Sequence, residues 1–299
     1  MRWDDFRRSD NVEDRRAEDY SGGGGGGSIF GGTGNLGLGA IIILGLIGWA
    51  LGIDPRVLIG GAELVTGAHH QYSQPAPPRE QPTGTPSDEM GQFVAAVLAQ
   101  TEDVWSNVLP EQKGIQYEKP RLVLYNGRTN SGCGGAQAAM GPFYCPNDHK
   151  VYLDTSFFRD MKQRLGGGGD FAYAYVIAHE VGHHVQNLLG ILPKIQAAQQ
   201  RAASQEQANA LSVRAELMAD CLAGVWAANA ESKYHILQPG DVEEAIKTAQ
   251  AIGDDRLQQA SRGYVVPDSF THGSAAQRQQ WLNAGLKSGE IDSCNTFAR

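Results

Sequence analysis

Residues 171–189 read FAYAYVIAHEVGHHVQNLL, and this stretch is the most informative part of the chain for predicting the fold. Its apolar residues recur at helical spacing, so we predict a helix that is buried in a core. His179 and His183 stand four residues apart on this helix. Side chains at that spacing lie on one face, one turn apart, and two imidazoles placed in this way can hold one Zn²⁺ ion.

The acid beside the first histidine, Glu180, suggests a catalytic use for such a metal. Its carboxylate can reach a water on the metal, take its proton and pass that proton to a leaving amine. A chance occurrence of this spacing on an amphipathic helix is the alternative interpretation. The apolar segment before His179 favours the metal site, because a helix that carries ligands in a core has this composition.

A catalytic zinc site uses three protein ligands and keeps one position open. The position six residues after the second histidine holds leucine, which excludes the metzincin arrangement of a third histidine. Residues 214–220 read RAELMAD and place Glu216 and Asp220 four apart on one helix face. We predict Glu216 as the third ligand and Asp220 as the carboxylate that accepts the ring N–H of His179. A solvated salt-bridge face is the alternative for these two acids.

HEVGHH followed by RAELMAD, a charged head before one apolar segment, and a late THGSAAQR segment resemble the bacterial "putative neutral zinc metallopeptidase" family. These are glutamate-ligand zinc peptidases with the HExxH motif, and the resemblance covers the chain nearly end to end. It implies a zincin-like fold and peptide hydrolysis. It also implies one Zn²⁺ ion on His179, His183 and Glu216, with Glu180 as the catalytic base. By resemblance to glutamate-ligand peptidases that use a downstream His or Tyr, we expect His272 to stabilise the oxyanion, with Tyr264 as the second choice.

The first third of the chain has a different composition from the rest. Residues 1–28 combine a charged head with a run of six glycines and are predicted to be disordered. Residues 29–53 are apolar and uncharged, which predicts one transmembrane helix; a buried soluble helix is the alternative. Gly48 and Gly52 form a small-xxx-small pair of the kind that favours helix dimers, so we expect a homo-oligomer through this helix.

The orientation of this helix follows from its basic flanks. Five arginines precede it closely, so we expect a single-pass membrane protein with a cytoplasmic N-terminus. Everything after the helix would then be periplasmic or extracellular. Residues 54–87 are predicted to be a proline-rich linker, and residues 88–299 are the right size for one compact domain.

The domain over 88–299 has more helical patterns than strand patterns. Residues 121–125 (RLVLY) and 150–154 (KVYLD) read as strands, while most of the sequence after residue 155 is helical in pattern. We therefore predict an α+β fold, mainly helical, with a small antiparallel sheet. The segment 141–154 is expected to supply an edge strand along which an extended peptide substrate pairs.

The four cysteines indicate the compartment. Cys133 and Cys145 bracket an 11-residue loop, which leaves Cys221 and Cys294 to pair with each other. Such bridges persist outside the cytoplasm, whereas four free thiols in a cytoplasmic domain are the alternative.

The net charge of −8 makes nucleic acid an improbable partner, because such sites need clustered Lys and Arg. The leading hypothesis is a membrane-anchored zinc metalloendopeptidase acting on peptides or proteins. One alternative is a non-catalytic, zinc-stabilised and membrane-tethered interaction protein, and another is a zinc amidase of cell-wall peptides. Structural zinc sites close all four positions with protein ligands, so three ligands favour catalysis.

Overall fold

A computed structural model describes residues 1–17, 86–137, 141–164 and 168–298. The predicted glycine spacer, the transmembrane helix over 29–53 and nearly all of the linker lie outside these ranges. Among the helices that the structure describes, none combines the length and the apolar character needed to cross a membrane.

The strands build one main sheet and one hairpin. Their bounds are β1 Val12–Asp14, β2 Arg121–Tyr125, β3 Arg128–Ser131, β4 Gly134–Gln137, β5 Phe143–Cys145 and β6 Lys150–Asp154. The main sheet has the order β1-β2-β6-β5, and β3 pairs with β4 in a separate antiparallel hairpin.

The predicted antiparallel sheet is wrong for most of the strand pairs in the main sheet. β1 runs parallel to β2, β2 runs parallel to β6, and only β5 is antiparallel to its neighbour. The reason is the connection from β2 to β6, which includes the β3–β4 hairpin and β5 and is long enough to return the chain in the same direction. Strand β5 lies at an edge of the sheet, whereas β6 is paired on both sides.

The helices confirm the prediction of a mainly helical α+β domain. Their bounds are α1 Glu89–Lys113, α2 Ser156–Arg164, α3 Asp170–Leu188, α4 Ile191–Gln199, α5 Gln205–Tyr234, α6 Asp241–Ala251, α7 Asp254–Arg262 and α8 Ala275–Ser288. Helix α3 carries the two spaced histidines, and α5 carries the RAELMAD motif.

Glycines let the helices that carry these motifs approach closely. A Cβ atom on Gly182 of α3 would lie 3.1 Å from the carbonyl oxygen of Ala219 on α5. A Cβ atom on Gly285 of α8 would lie 1.9 Å from the carbonyl oxygen of Cys221, so only glycine fits there. Helix α5 is therefore packed between α3 and α8 at backbone contact, which fixes the relative positions of their side chains.

The N-terminal head is folded, and the prediction of disorder is wrong for residues 1–17. Strand β1 pairs with β2, and both Val12 and Glu13 are fully buried. The charges that read as a solvated tail are matched inside the fold: Glu13 accepts hydrogen bonds from Arg15 at 2.6 Å and from Lys150 at 2.7 Å. Sequence composition did not reveal this, because the lysine lies far away along the chain.

This packing also bears on the predicted orientation. That prediction places residues 1–20 and the domain on opposite sides of a membrane. In the structure, β1 is hydrogen-bonded to β2, and Arg7 forms an ion pair of 2.6 Å with the buried carboxylate of Glu102 on α1. Within one chain, these contacts hold residues 1–17 against residues 86–298, whereas the predicted orientation separates the two by a membrane. The compartment that holds them stays a prediction.

Candidate metal centre

Three buried donor groups meet where α3 packs against α5. His179, His183 and Glu216 each offer one ligand atom, and these atoms all lie within 4.8 Å of one another. Nε2 of His179 is 3.1 Å from Oε2 of Glu216, and Nε2 of His183 is 3.5 Å from Oε1. The same ring nitrogen of both histidines is thus turned toward one carboxylate.

The other ring nitrogens are bound to acceptors. Nδ1 of His179 lies 2.9 Å from Oδ1 of Asp220, and Nδ1 of His183 lies 3.1 Å from Oε1 of Gln186. Gln186 is held in this orientation because its Nε2 donates to the carbonyl oxygen of Ala215 at 2.7 Å. With each Nδ1–H donated outward, a neutral ring presents its Nε2 lone pair inward, as a metal ligand must.

Sequence reasoning did not single out Gln186. The signal was available, because the residue stands three positions after His183 and so lies on the same helix face.

Asp220 is held as an anion by a further network. Arg278 on α8 donates to both of its oxygens, from Nε at 2.9 Å and from Nη2 at 2.8 Å, and the Tyr175 hydroxyl donates at 2.6 Å. Burial raises the pKa of Asp220, but Arg278 and His179 outweigh it and lower the pKa to about 2. Arg278 closes the quoted THGSAAQR segment, yet the sequence carried no sign that it reaches Asp220.

The carboxylates around the two rings favour a positive charge at this centre. Burial lowers the pKa of His179, but its bonds to Asp220 and Glu216 outweigh this and raise the pKa to about 10. A proton or a metal cation can meet the same demand, and a cation that binds there releases the proton. Two imidazole nitrogens and a carboxylate oxygen are a ligand set that Zn²⁺ accepts, so the residues present fit zinc.

Glu180 lies beside this centre without a partner of its own. Its residue is 7% exposed, and its carboxylate forms no hydrogen bond with the part of the chain that the structure describes. Burial raises its pKa above the ordinary value, and this outweighs the opposing effect of His179 and His183. A buried carboxylate with a raised pKa and no internal donor has the properties of a general base.

Of the two oxyanion candidates, the fold brings only His272 to the three donors. Its Nε2 lies 3.9 Å from Oε2 of Glu216, and its side chain is 15% exposed. Burial lowers its pKa, which favours the neutral ring despite the nearby charges of Glu216 and Asp254. Tyr264, by contrast, follows α7 on the surface and is 58% exposed.

The third histidine of the HEVGHH motif, His184, contacts Glu118 and Tyr144 instead of the three donor groups. His184 Nε2 donates to the carbonyl oxygen of Glu118 at 2.5 Å, which leaves Nδ1 to accept from the Tyr144 hydroxyl at 3.0 Å. Burial lowers its pKa to about 4, so the ring is neutral. His184 thus joins α3 to the edge strand β5 and faces away from the three donors.

Both disulfides have the predicted pairing. Cys133–Cys145 joins the β3–β4 turn to β5, and Cys221–Cys294 joins α5 to the short 3₁₀ turn Ile291–Cys294. The second bridge starts one residue after Asp220 and ties the end of the chain to the helix that carries the third donor.

Comparison with known proteins places this geometry in context. The model of the family described as "Putative neutral zinc metallopeptidase" matches residues 1–297. The chain is 48% identical over 303 residues to the "Uncharacterized protein YpfJ" of Escherichia coli K12, covering 100% of this chain and 99% of that protein. It is 39% identical over 262 residues to the "Uncharacterized protein Rv2575" of Mycobacterium tuberculosis, covering 83% and 84% of the two chains. No solved structure matches it.

Proposed function

Since the chain belongs to the family described as "Putative neutral zinc metallopeptidase", we propose that it is a zinc-dependent endopeptidase in which Glu180 is the general base. One observation carries the proposal: both rings turn Nε2 toward Glu216 while their Nδ1 atoms are held by Asp220 and Gln186. Such an arrangement orients ligands for a metal and leaves a coordination position for a reactant.

The chemistry divides between the metal and the chain. Zinc, when bound, supplies a Lewis acid that polarises a peptide carbonyl and lowers the pKa of water. Glu180 takes the proton from the attacking water, holds it on its carboxylate and delivers it to the nitrogen of the departing amine. Burial raises the pKa of Glu180 above the ordinary value, which makes its carboxylate a stronger base toward the attacking water.

His272 has the second role in this proposal. Its Nδ1 lies 3.0 Å from the hydroxyl of Thr271, which can donate to it. The ring proton is then on Nε2, the nitrogen that faces the centre, from which it can donate to the oxyanion of the tetrahedral intermediate. Membrane attachment through residues 29–53 and a location outside the cytoplasm remain predictions; the two disulfides favour that location.

The decisive experiment compares wild type with Glu180→Gln in the full chain. Zinc stoichiometry and cleavage of a broad peptide library are measured together. We expect equal zinc content, with cleavage reduced by about 10²- to 10⁴-fold in the variant, because the general base is lost. Glu111→Gln, at an exposed glutamate on α1, is the matched control and should cleave like wild type.

The alternatives predict different results in the same assay. Equal cleavage by Glu180→Gln and wild type would contradict the assignment of Glu180. A wild type that binds zinc but cleaves no peptide would favour the zinc-stabilised interaction protein. Cleavage confined to added cell-wall peptides would favour the amidase.

A further inference from the structure

A cavity of about 500 Å³ lies between α4, α5 and residues 291–297. Met218 lines it and stands two residues after Glu216, so these two side chains project about 200° apart around α5. Leu211, seven residues before Met218, lines the cavity from the same face of the helix. The cavity is therefore separate from the three donors of the metal centre, and an inference about it does not rest on the proposed function.

The walls of this cavity are mainly apolar. Ile191, Ile195 and Ala198 stand at helical spacing on one face of α4, and all three line it. Phe297 lines it from the C-terminal segment. Packed protein interiors leave few voids larger than a water molecule, whereas small-molecule sites measure about 300 to 1,000 Å³. The cavity thus has the size and the lining of a site for an apolar ligand.

Most of the polar side chains at the cavity already have partners. Lys113 forms an ion pair with Asp292, and Oδ1 of Asn295 accepts two backbone N–H groups of its own turn, at 3.1 and 3.0 Å. Lys194 differs from them, because it is exposed and forms no ion pair with any residue that the structure describes. Its position on the cavity face of α4 places an available cation at the rim of an apolar space.

The class of ligand follows from these partners. A peptide carries an N–H and a C=O group at each residue, and burying them without hydrogen bonds is unfavourable. An acyl chain has no such groups, so an apolar wall suits it better, and a carboxylate at its end can pair with Lys194. We propose that this cavity binds a free fatty acid, with the carboxylate on Lys194 and the chain between α4 and α5.

Calorimetric titration of the full chain tests the proposal with ligands that share one chain length. Decanoate, decan-1-ol and decyltrimethylammonium carry a negative, a neutral and a positive head group. We expect one decanoate per chain, bound about 5-fold more tightly than decan-1-ol at low ionic strength, because only the carboxylate pairs with a lysine. Decyltrimethylammonium should bind more weakly than both. Dodecanoate should bind about 10-fold more tightly than decanoate, since two more methylenes leave water.

Two pairs of variants locate the ligand. Lys194→Gln should lower the affinity for decanoate to that for decan-1-ol and leave the latter unchanged. Lys247→Gln, at an exposed lysine of α6 outside the lining, is its matched control and should change neither. Ala198→Phe should weaken both ligands by about 10-fold or more, because the phenyl ring takes the space of several methylenes. Ala197→Phe, at the neighbouring position of α4 outside the lining, should bind like wild type.

Several results would overturn the inference. These are a wild type that shows no saturable binding of decanoate, or a decanoate affinity that is the same in wild type and Lys194→Gln. Equal binding by wild type and folded Ala198→Phe would overturn it as well. Should Ala198→Phe fail to fold, the result for Lys194→Gln decides, because this exposed side chain does not support the core. An apolar decapeptide that displaces decanoate at a lower concentration than decan-1-ol does would assign the cavity to a peptide instead.

Discussion

Glu13 on β1 and Glu216 on α5 are both buried acids, but their carboxylates meet different partners. Glu13 lies among cations: Arg15 at 2.6 Å, Lys150 at 2.7 Å and Arg121 at 3.3 Å. Glu216 faces the Nε2 atoms of two imidazoles whose other nitrogens are already bound. The first cluster is complete within the chain, whereas the second turns two ring nitrogens toward one carboxylate and could hold a metal ion.

The largest expected effect concerns the cluster of charges around Glu13. Glu13→Gln leaves Arg15 and Lys150 largely buried without their anion, so we expect the free energy of unfolding to fall by about 3 to 5 kcal/mol at pH 7. Urea unfolding measures this, with Asp10→Asn as the control at an exposed acid of the same segment. A loss no larger than that of the control would mean that the N-terminal strand adds little to the fold.

The same variant has a defined pH dependence. Burial raises the pKa of Glu13, but Lys150 and Arg15 outweigh it and lower the pKa below the ordinary value of 4.5. A depressed folded pKa stabilises the protein above the unfolded pKa, and this contribution disappears as the pH falls through the folded pKa. The difference between wild type and Glu13→Gln should thus be full above about pH 4.5 and shrink at lower pH. A constant difference would contradict this.

The second largest effect is the change in unfolding free energy on adding zinc, which should separate the cluster around Glu216 from the cluster around Glu13. Zinc at 100 times its dissociation constant should raise the unfolding free energy of wild type by about 2.7 kcal/mol. Glu13→Gln should keep this increment, although its starting stability is lower, because its cluster does not touch the metal. Glu216→Gln should lose the increment, because a ligand is gone. Melting temperatures with and without zinc measure both, and an equal increment in all three proteins would show that zinc binds elsewhere.

The smallest expected effect concerns Arg278, which joins Asp220, beside the cluster around Glu216, to helix α8. Arg278→Met leaves Asp220 without the guanidinium that orients it, so His179 is less firmly held, and we expect zinc affinity to fall by about 10- to 100-fold. Arg278→Lys should recover part of this, since lysine keeps the charge but cannot bond both carboxylate oxygens as arginine does. Competition with a chelator measures the affinity, and an unchanged value for Arg278→Met would mean that Tyr175 alone suffices.

The sequence predicted the features that depend on residues close together along the chain, and it missed those that depend on distant contacts. The helix over 171–189 was readable because its signal is periodic and local, and it runs as α3 over Asp170–Leu188. The strand over 121–125 was equally readable, but its parallel pairing with β1 was not, because register and direction follow from contacts between distant segments. The head looked disordered for the same reason, since its charges find partners only in the folded state.

The sequence by itself determined the donor types and their spacing: two histidines four apart on one helix, and two acids four apart on another. Helical periodicity alone brings each pair to one face, so no fold was needed to predict them. The tertiary structure decided what those pairs meet, namely the approach of α3 to α5 at Gly182, the contact of Arg278 with Asp220 and the placement of His272 beside Glu216. These contacts join segments that are distant in sequence, and close packing of the folded chain alone determines them.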